Sequence, residues 1–239
     1  MSRIFAIADI HGAYKPLLEC LEKSNFDYKQ DILICLGDTV DGYPEVKECF
    51  DELLKIKNLI YILGNHDSWF LEWAICGIAG KYWTSQGGEA TLKSYNYIRT
   101  KVPESHIKLL QEAPYYYVLT DKKTKEKTLF VHGGIDANTN IKEQDGMQIM
   151  WDRELIESAY RKSNSRPNYR LQDKYKEIFI GHTTTEVFNS LKPIKFCEVW
   201  DIDTGAGWSG KLSLINVETK EVFQSEESYT YYPYHTPRG

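Results

Sequence analysis

The sequence feature that most constrains the fold is a turn at residues 36–42, which carries two carboxylates directly after an apolar run. The run, Ile-Leu-Ile-Cys at positions 32–35, is typical of a strand that is buried on both faces. Asp38 and Asp41 follow it, and a glycine near each lets the backbone turn sharply. Because ligands of α/β proteins bind at the carboxyl ends of sheet strands, we expect the functional site to be built around this turn.

The rest of the chain alternates strands and helices, as expected for an α/β fold. Two more buried strands are predicted at residues 3–9 and 59–63, and amphipathic helices at residues 14–24 and 44–57. With the strand at residues 31–38 they form three strand–helix repeats, which predict a parallel sheet covered by helices. Later β segments predict a second sheet. These are residues 115–120, 128–131, 177–180, 198–203, 211–218 and 221–224.

Length and composition indicate one domain at residues 1–228, followed by a tail at residues 229–239. The tail contains four Tyr and two Pro, and we expect it to pack loosely or not at all. A mostly helical stretch at residues 68–113 carries aromatic residues, Trp69 and Trp83 among them, which we expect to pack in the core. The formal net charge is −5, so no dedicated nucleic-acid binding is expected. Five scattered cysteines, with neither a signal peptide nor a stretch of membrane length, predict a cytoplasmic protein that makes no membrane contact.

Side chains that can bind metals follow most of the predicted strands. Six of them stand within three positions of a strand end: Asp9, His11, Asp38, Asn65, His132 and His182. Each alone is more often structural, but their joint occurrence predicts a metal site. Imidazole nitrogen with carboxylate and amide oxygen suits Mn²⁺, Fe and Zn²⁺, whereas an all-oxygen set would favour Ca²⁺ or Mg²⁺. Asp38 is the natural bridge between two ions about 3.5–4 Å apart, a separation that serves in-line displacement at phosphorus.

Five motifs in this order resemble the calcineurin-like metallophosphoesterases, and within them the phosphoprotein phosphatase branch in its bacterial and lambda-phage form. The motifs are Asp9-x-His11, Gly37-Asp38-x-Val40-Asp41, Gly64-Asn65-His66-Asp67, His132-Gly133-Gly134 and Gly181-His182-Thr183. Segments at residues 83–88, 150–153 and 202–215 extend the resemblance from residue 3 to about residue 219. The resemblance implies two mixed β-sheets packed as a sandwich, with helices on the outer faces.

The resemblance also implies a role for each site residue. It places one divalent ion on Asp9, His11 and Asp38, and a second on Asp38, Asn65, His132 and His182. It makes His66 the general acid, Asp41 the carboxylate that orients it, and Arg153 and Asn65 the groups that bind the substrate phosphate. The expected metal is Mn²⁺, with Fe, Zn²⁺ or Ni²⁺ as alternatives. A second role for Asp41, capping the helix that begins near Pro44, stays open.

One position departs from the family pattern. The family motif reads Val-Asp-Arg-Gly, whereas this chain has Val40-Asp41-Gly42-Tyr43. An arginine that binds the substrate phosphate in the family is therefore replaced by Gly42. Its loss predicts weaker phosphate binding unless Tyr43, or a Lys or Arg from the basic segment at residues 157–176, takes its place. That segment is either a solvated surface excursion or a lid that faces an anionic substrate.

Three functional hypotheses follow. The first is a two-metal phosphoesterase resembling serine/threonine protein phosphatases, which hydrolyses monoesters of a phosphorylated protein or small molecule by in-line attack of a metal-bridging hydroxide. The second is a dinucleoside-polyphosphate hydrolase of the diadenosine tetraphosphate type, or a phosphodiesterase, which the missing arginine favours. The third, a non-catalytic metal-binding scaffold, is disfavoured because the acid pair His66 and Asp41 and the expected ligands are all present.

Overall fold

The computed structural model describes residues 2–96, 101–166 and 168–235. Residues 97–100 of the predicted helical stretch, residue 167 of the basic segment and residues 236–239 of the tail lie outside this description. The strands are β1 Ile4–Ile7, β2 Ile32–Cys35, β3 Asn58–Tyr61, β4 Tyr116–Thr120, β5 Lys127–Val131, β6 Glu177–Ile180, β7 Ile194–Phe196, β8 Val199–Asp201, β9 Lys211–Asn216 and β10 Val222–Glu227. They form two five-stranded sheets, with the orders β10-β9-β1-β2-β3 and β4-β5-β6-β8-β7.

Both sheets are parallel at the centre and antiparallel at an edge. In the first sheet β1, β2 and β3 are parallel, as the three repeats predict, and β9 and β10 are antiparallel to them. In the second sheet β5, β6 and β8 are parallel, while β4 and β7 run antiparallel to their neighbours. The register aligns Ile7 with Cys35 and Cys35 with Tyr61. The chain therefore leaves all three parallel strands at one edge of the sheet.

Alternation of side chains along the strands builds a four-layer structure. In β1 and β2, Ala6 and Ile34 point into the space between the two sheets, where they meet Phe130 and Phe179 of the second sheet. Phe5 and its equivalents on the neighbouring strands point to the opposite face, where helices cover them. The second sheet repeats this arrangement with its own helices. The predicted sandwich of two mixed sheets between helices is confirmed.

The helices lie on the outer faces and in the connections. They are α1 Tyr14–Lys23, α2 Val46–Leu53, α3 Asn65–Cys76, α4 Lys81–Trp83, α5 Glu89–Ser94, α6 Glu104–Gln111, α7 Gly146–Trp151, α8 Glu154–Ser165 and α9 Ser228–Tyr231, with a π-helical turn at Thr84–Gly88. Among the described residues no helix is both long enough and apolar enough to cross a membrane.

Two parts of the chain differ from the sequence-based expectation. The segments at residues 211–218 and 221–224, expected with a second sheet, extend the first sheet instead as β9 and β10. The basic segment at residues 157–176 begins inside α8, whose Leu155, Ile156 and Ala159 are buried against the second sheet. Polar composition concealed this helix because its apolar residues are few and occupy one face.

The described part of the tail is anchored at Tyr232 and His235, so the expectation of loose packing is wrong at these two positions, whereas Tyr234 is fully exposed. Tyr232 is 7% exposed, and its ring lies 4.8 Å from that of Tyr43. The Tyr232 hydroxyl donates to Glu45 and accepts from the backbone N–H of Lys15 at 3.2 Å. His235 donates from Nε2 to the carbonyl of Gly42 at 2.6 Å. The tail therefore packs on Gly42 and Tyr43, the two positions at which the sequence differs from the family motif.

Candidate active site

The strand ends of both sheets meet at one cleft of about 350 Å³. Predicted site residues that line it are Asp9, His11, Asp38, Asn65, His66, Arg153 and His182. The other two lie against them, since Asp41 pairs with His66 and His132 lies 3.3 Å from Asp38. Each follows its strand within a few residues, except Arg153, which follows α7. The structure therefore brings all the predicted site residues together.

Asp9, His11 and Asp38 form a first group whose donor atoms all lie within 4.8 Å of one another. His11 donates from Nδ1 to the carbonyl of Val40 at 2.7 Å, which fixes its tautomer. Its Nε2 atom therefore faces the carboxylates, 3.8 Å from Asp9 Oδ1 and 3.9 Å from Asp38 Oδ2. Two carboxylates and an imidazole at this spacing can share one cation.

Asp38, His132 and His182 form a second group within the same limit. His132 donates from Nδ1 to the carbonyl of Leu36 at 2.7 Å, so that its Nε2 lies 3.3 Å from Asp38 Oδ2. Asn65 Oδ1 lies 2.9 Å from the same nitrogen. Asp38 belongs to both groups, which is the position expected of a bridging carboxylate.

The electrostatics of this cluster suit cations. The Nε2 atom of His182 is buried and has no hydrogen-bond partner among the described residues, although buried polar atoms normally have one. Burial, aided by the charges of His132 and Arg153, lowers the pKa of His182 to about 2, so its imidazole is neutral and offers a lone pair. Burial also acts to lower the pKa of His132, but the Asp38 carboxylate outweighs it and raises that pKa to about 10. The cluster thus draws positive charge to its centre.

The site is built on strained backbone. Five of its residues have left-handed φ angles of 54°, 49°, 51°, 71° and 67°: Asp9, His11, Asp38, Asp41 and His182. Such a conformation costs about 1–3 kcal/mol for a residue with a side chain. Glycines make room for the side chains so placed, because a Cβ on Gly64 would lie 2.1 Å from Asp38 Oδ1, and one on Gly181 would lie 2.1 Å from Asp9 Oδ2. The fold therefore gives up stability to aim these donors at one point.

Asp41 and His66 form a buried pair beside this cluster, with Asp41 Oδ2 2.6 Å from His66 Nδ1. A carboxylate on Nδ1 fixes the tautomer and leaves Nε2 as the atom that exchanges a proton with a ligand in the cleft. Trp83 Nε1 donates to both Asp41 oxygens at 3.0 and 2.9 Å, and the Thr91 hydroxyl donates to Oδ1 at 2.7 Å. The alternative role of Asp41 as a helix cap is wrong, because the residue before α2 is Glu45.

Trp83 and Thr91 are supporting residues that the sequence did not identify. Trp83 is 3% exposed and packs in the core as predicted, yet its indole N–H also donates to the Asp41 carboxylate. Because a buried indole N–H needs an acceptor, the sequence predicts that Trp83 donates a hydrogen bond to some group in the core. Which residue accepts it depends on a contact between positions 41 and 83, and no local pattern encodes that contact.

Asp67 is a third supporting residue. Its carboxylate accepts from the backbone N–H of Asp38 at 2.8 Å, of Thr39 at 3.1 Å and of Gly64 at 3.1 Å, and from the Tyr61 hydroxyl at 2.9 Å. Burial, with the nearby Asp38 charge, raises the pKa of Asp67 to about 6. By joining the turn after β2 to the start of α3, Asp67 fixes the position of Asp38 relative to His66.

Arg153 is the only Lys or Arg in the described lining of the cleft. Its Nη1 atom donates to the carbonyl of His182 at 2.9 Å and to the Thr183 hydroxyl at 3.0 Å. These contacts hold the guanidinium at the mouth of the cleft, next to the second group of donors. A planar guanidinium in this position can bind phosphate oxygens.

The two candidates to replace the absent arginine at Gly42 do not reach the cleft. Tyr43 is fully buried and donates its hydroxyl to the carbonyl of Trp208 at 2.6 Å. No described basic side chain of residues 157–176 lines the cleft, and Lys176, for example, pairs with Glu126 at 2.8 Å. The described residues of this segment lie partly in α8 and all away from the cleft, so the lid interpretation is wrong for them.

Aromatic rings form one wall of the cleft. The Trp69 ring lies 4.9 Å from His66, 5.3 Å from Tyr82 and 5.3 Å from Trp151, and Trp151 lies 5.7 Å from His182. Tyr82 is 64% and Trp151 36% exposed, although both rings contact Trp69. Trp69 packs against the core as predicted and also lines the cleft. The wall offers a planar group a surface on which to stack.

Comparison with known proteins places these residues in a wider context. The sequence model of one family, described as "Calcineurin-like phosphoesterase", matches residues 2–204. Serine/threonine-protein phosphatase 1 of Salmonella typhimurium is 26% identical over 217 residues, which cover 90% of this chain and 92% of that protein. The symmetrical bis(5'-nucleosyl)-tetraphosphatase of Buchnera aphidicola is 44% identical over 68 residues, which cover 28% of this chain and 24% of that protein. A crystal structure described as a putative diadenosine tetraphosphatase shares the fold with a TM-score of 0.66 at 16% identity, covering 94% of this chain and 93% of that one.

Proposed function

The chain belongs to the calcineurin-like phosphoesterase family, and from that premise we propose that it hydrolyses phosphate monoesters with two divalent cations, in the manner of a serine/threonine protein phosphatase. Its general activity, hydrolysis of phosphate esters, follows from the family. The relative that covers nine-tenths of the chain is named a protein phosphatase, which supports this choice of substrate class.

The position of Asp38 carries this proposal. Its carboxylate is shared by two groups of donors, and the unpaired Nε2 of His182 completes the second group. The first cation would be held by Asp9, His11 and Asp38, and the second by Asp38, Asn65, His132 and His182. The mixed nitrogen and oxygen set supports Mn²⁺, with Fe, Zn²⁺ or Ni²⁺ as alternatives. Cations bound there supply Lewis acidity at the phosphoryl oxygens and activate the attacking water.

Side chains in the cleft bind the phosphate and supply the proton for the leaving group. Arg153 lines the same cleft as the donor groups and binds the nonbridging phosphoryl oxygens, with the Asn65 amide as a second contact. His66 donates its proton to the leaving oxygen, since it faces the cleft and is buried on its other side. Asp41 accepts the proton on His66 Nδ1, so the proton that the imidazolium gives to the leaving oxygen is the one on Nε2, and the ring is left neutral with its proton on Nδ1.

A second candidate is hydrolysis of a dinucleoside polyphosphate, or of a phosphodiester. Two features favour it, namely the lack of a second phosphate-binding arginine at Gly42 and the exposed rings of Tyr82 and Trp151, on which a base could stack. Two of the comparisons also carry diadenosine tetraphosphatase names. Because those matches are short or low in identity, this candidate stands second.

Side-by-side kinetics test the proposal. The purified protein, loaded in turn with Mn²⁺, Fe²⁺, Zn²⁺ and Ni²⁺, is assayed on a phosphoserine peptide, a dinucleoside tetraphosphate and bis-p-nitrophenyl phosphate. We expect the highest kcat/KM on the peptide, with Mn²⁺. A higher value on the tetraphosphate or the diester would replace the proposal with the second candidate, and no turnover with any metal would contradict both.

A cytoplasmic location also remains a proposal. The five cysteines are all free, as expected in a reducing compartment. Cell fractionation with an antibody against the protein would test it, and recovery outside the cytoplasmic fraction would contradict it.

A further inference from the structure

We propose that the C-terminal segment, residues 229–235, is a positioning element for the proton-donating pair of Asp41 and His66, and that it acts through the turn at Gly42 and Tyr43. The inference rests on the proposed role of that pair. The segment lies beyond residue 204, where the match to the family ends. It contributes no side chain to the described lining of the cleft, so any effect on catalysis must pass through the turn.

The segment contacts the turn and its continuation at three neighbouring positions, Gly42, Tyr43 and Glu45. His235 donates from Nε2 to the carbonyl of Gly42 at 2.6 Å. The Tyr43 ring is packed on two residues of the segment, 4.8 Å from the ring of Tyr232 and 5.6 Å from that of His235. The Tyr232 hydroxyl donates to Glu45, just before α2. Three positions of the chain that follow Asp41 are therefore fixed by residues about 190 positions away in sequence.

The turn is of a kind that needs external support. Asp41 and Gly42 have successive left-handed φ angles of 71° and 80°. The Asp41 carboxylate is held on one side by Trp83 and Thr91. After Asp41, the C-terminal segment contacts the carbonyl of Gly42 and the ring of Tyr43. Without that contact the strained turn can relax, and the carboxylate shifts relative to the imidazole.

A shift of this kind has a specific kinetic consequence. A general acid matters most when the leaving group is a poor one, because an alkoxide must be protonated as it departs. The serine oxygen of a phosphoserine peptide is such a leaving group, whereas p-nitrophenolate leaves without protonation. Misplacing Asp41 should therefore slow hydrolysis of the peptide and leave that of p-nitrophenyl phosphate nearly unchanged. General loss of folded enzyme would slow both equally.

The test compares variants of the segment on these two substrates. We expect His235→Ala, and a chain that ends after Ser228, to lower kcat on the phosphoserine peptide about 5- to 10-fold, with less than about twofold change on p-nitrophenyl phosphate. His235→Gln keeps a donor for the Gly42 carbonyl and should restore most of the loss. Tyr234→Ala is the matched control, because Tyr234 lies in the same segment with a fully exposed side chain.

A second readout does not depend on activity. In hydrogen exchange followed by mass spectrometry, a peptide covering residues 39–45 should exchange faster in His235→Ala than in the unaltered protein, and at the original rate in Tyr234→Ala. An unchanged rate in His235→Ala would overturn the proposal, because the segment would not be holding the turn.

Two kinetic results would also overturn it: an equal fall on both substrates, or no change on either. Asp41→Asn separates this failure from failure of the proposed function. If Asp41→Asn itself shows no preference for the good leaving group, the acid pair is not the proton donor, and the proposed mechanism fails together with this inference. If it shows that preference and His235→Ala does not, only the role of the segment is wrong.

Discussion

Two neighbouring parts of the site are supported differently: the candidate metal-ligand cluster, formed by Asp9, His11, Asp38, His132 and His182, and the turn at residues 41–43, which carries the partner of the proposed proton donor His66. In the cluster, the two histidines nearest Asp38 donate to backbone carbonyls that follow strand β2, His132 to that of Leu36 and His11 to that of Val40. The turn is fixed by side chains that come from distant positions, among them Trp83, Thr91 and His235. The first arrangement uses backbone carbonyls within five residues of the end of β2, whereas the second depends on side chains from other parts of the chain.

The largest expected effect comes from removing the residue that both groups of the cluster share. Asp38→Asn should lower kcat/KM at least about 100-fold on the phosphoserine peptide and on p-nitrophenyl phosphate alike, because metal binding is lost at both positions. Metal content measured by mass spectrometry should fall with it. Asp31→Asn removes a buried carboxylate that pairs with Arg3 away from the cleft, and should leave metal content unchanged. Full metal content in Asp38→Asn would contradict the bridging role.

The turn should respond in a different way from the cluster. Asp41→Asn should lower kcat on the phosphoserine peptide about 100-fold, whereas p-nitrophenyl phosphate should lose less than about tenfold, since only the proton transfer is impaired. Metal content should stay as in the unaltered protein. An equal loss on both substrates would mean that Asp41 supports the metals rather than the acid, and the two regions would then be one functional unit.

The indole that supports the turn should have a smaller effect of the same type. Trp83→Phe removes the N–H that contacts both Asp41 oxygens, so unfolding in urea should show a loss of about 1.5–3 kcal/mol. Turnover of the phosphoserine peptide should fall about tenfold. Trp73→Phe removes a similar volume from the same core and controls for packing. If the two variants behaved alike, the hydrogen bond to Asp41 would have no role in turnover.

The contrast also explains what the sequence could predict. The cluster could be predicted from the sequence because each candidate ligand follows an apolar strand. The parallel strands end at one edge of the sheet, where Ile7, Cys35 and Tyr61 are aligned. The same logic predicted the three parallel strands of the first sheet, but it placed residues 211–218 and 221–224 in the second sheet instead of the first. It could not predict which residues support the turn, because the contacts of Trp83 and His235 depend on how segments distant in sequence pack together.

The smallest expected effect concerns the position where the chain leaves its family. Gly42→Arg should lower KM for monoesters about threefold to tenfold, because Arg153 is the only Lys or Arg in the described lining and a second guanidinium adds charge-assisted hydrogen bonds. The φ angle of 80° at Gly42 should cost about 1–2 kcal/mol of stability in return. Gly42→Ala carries the same backbone strain without the charge, so a fall in KM in Gly42→Arg alone isolates the guanidinium. A KM that is unchanged or raised in Gly42→Arg, relative to Gly42→Ala, would show that the docked C-terminal segment holds the turn where an arginine cannot reach the phosphate.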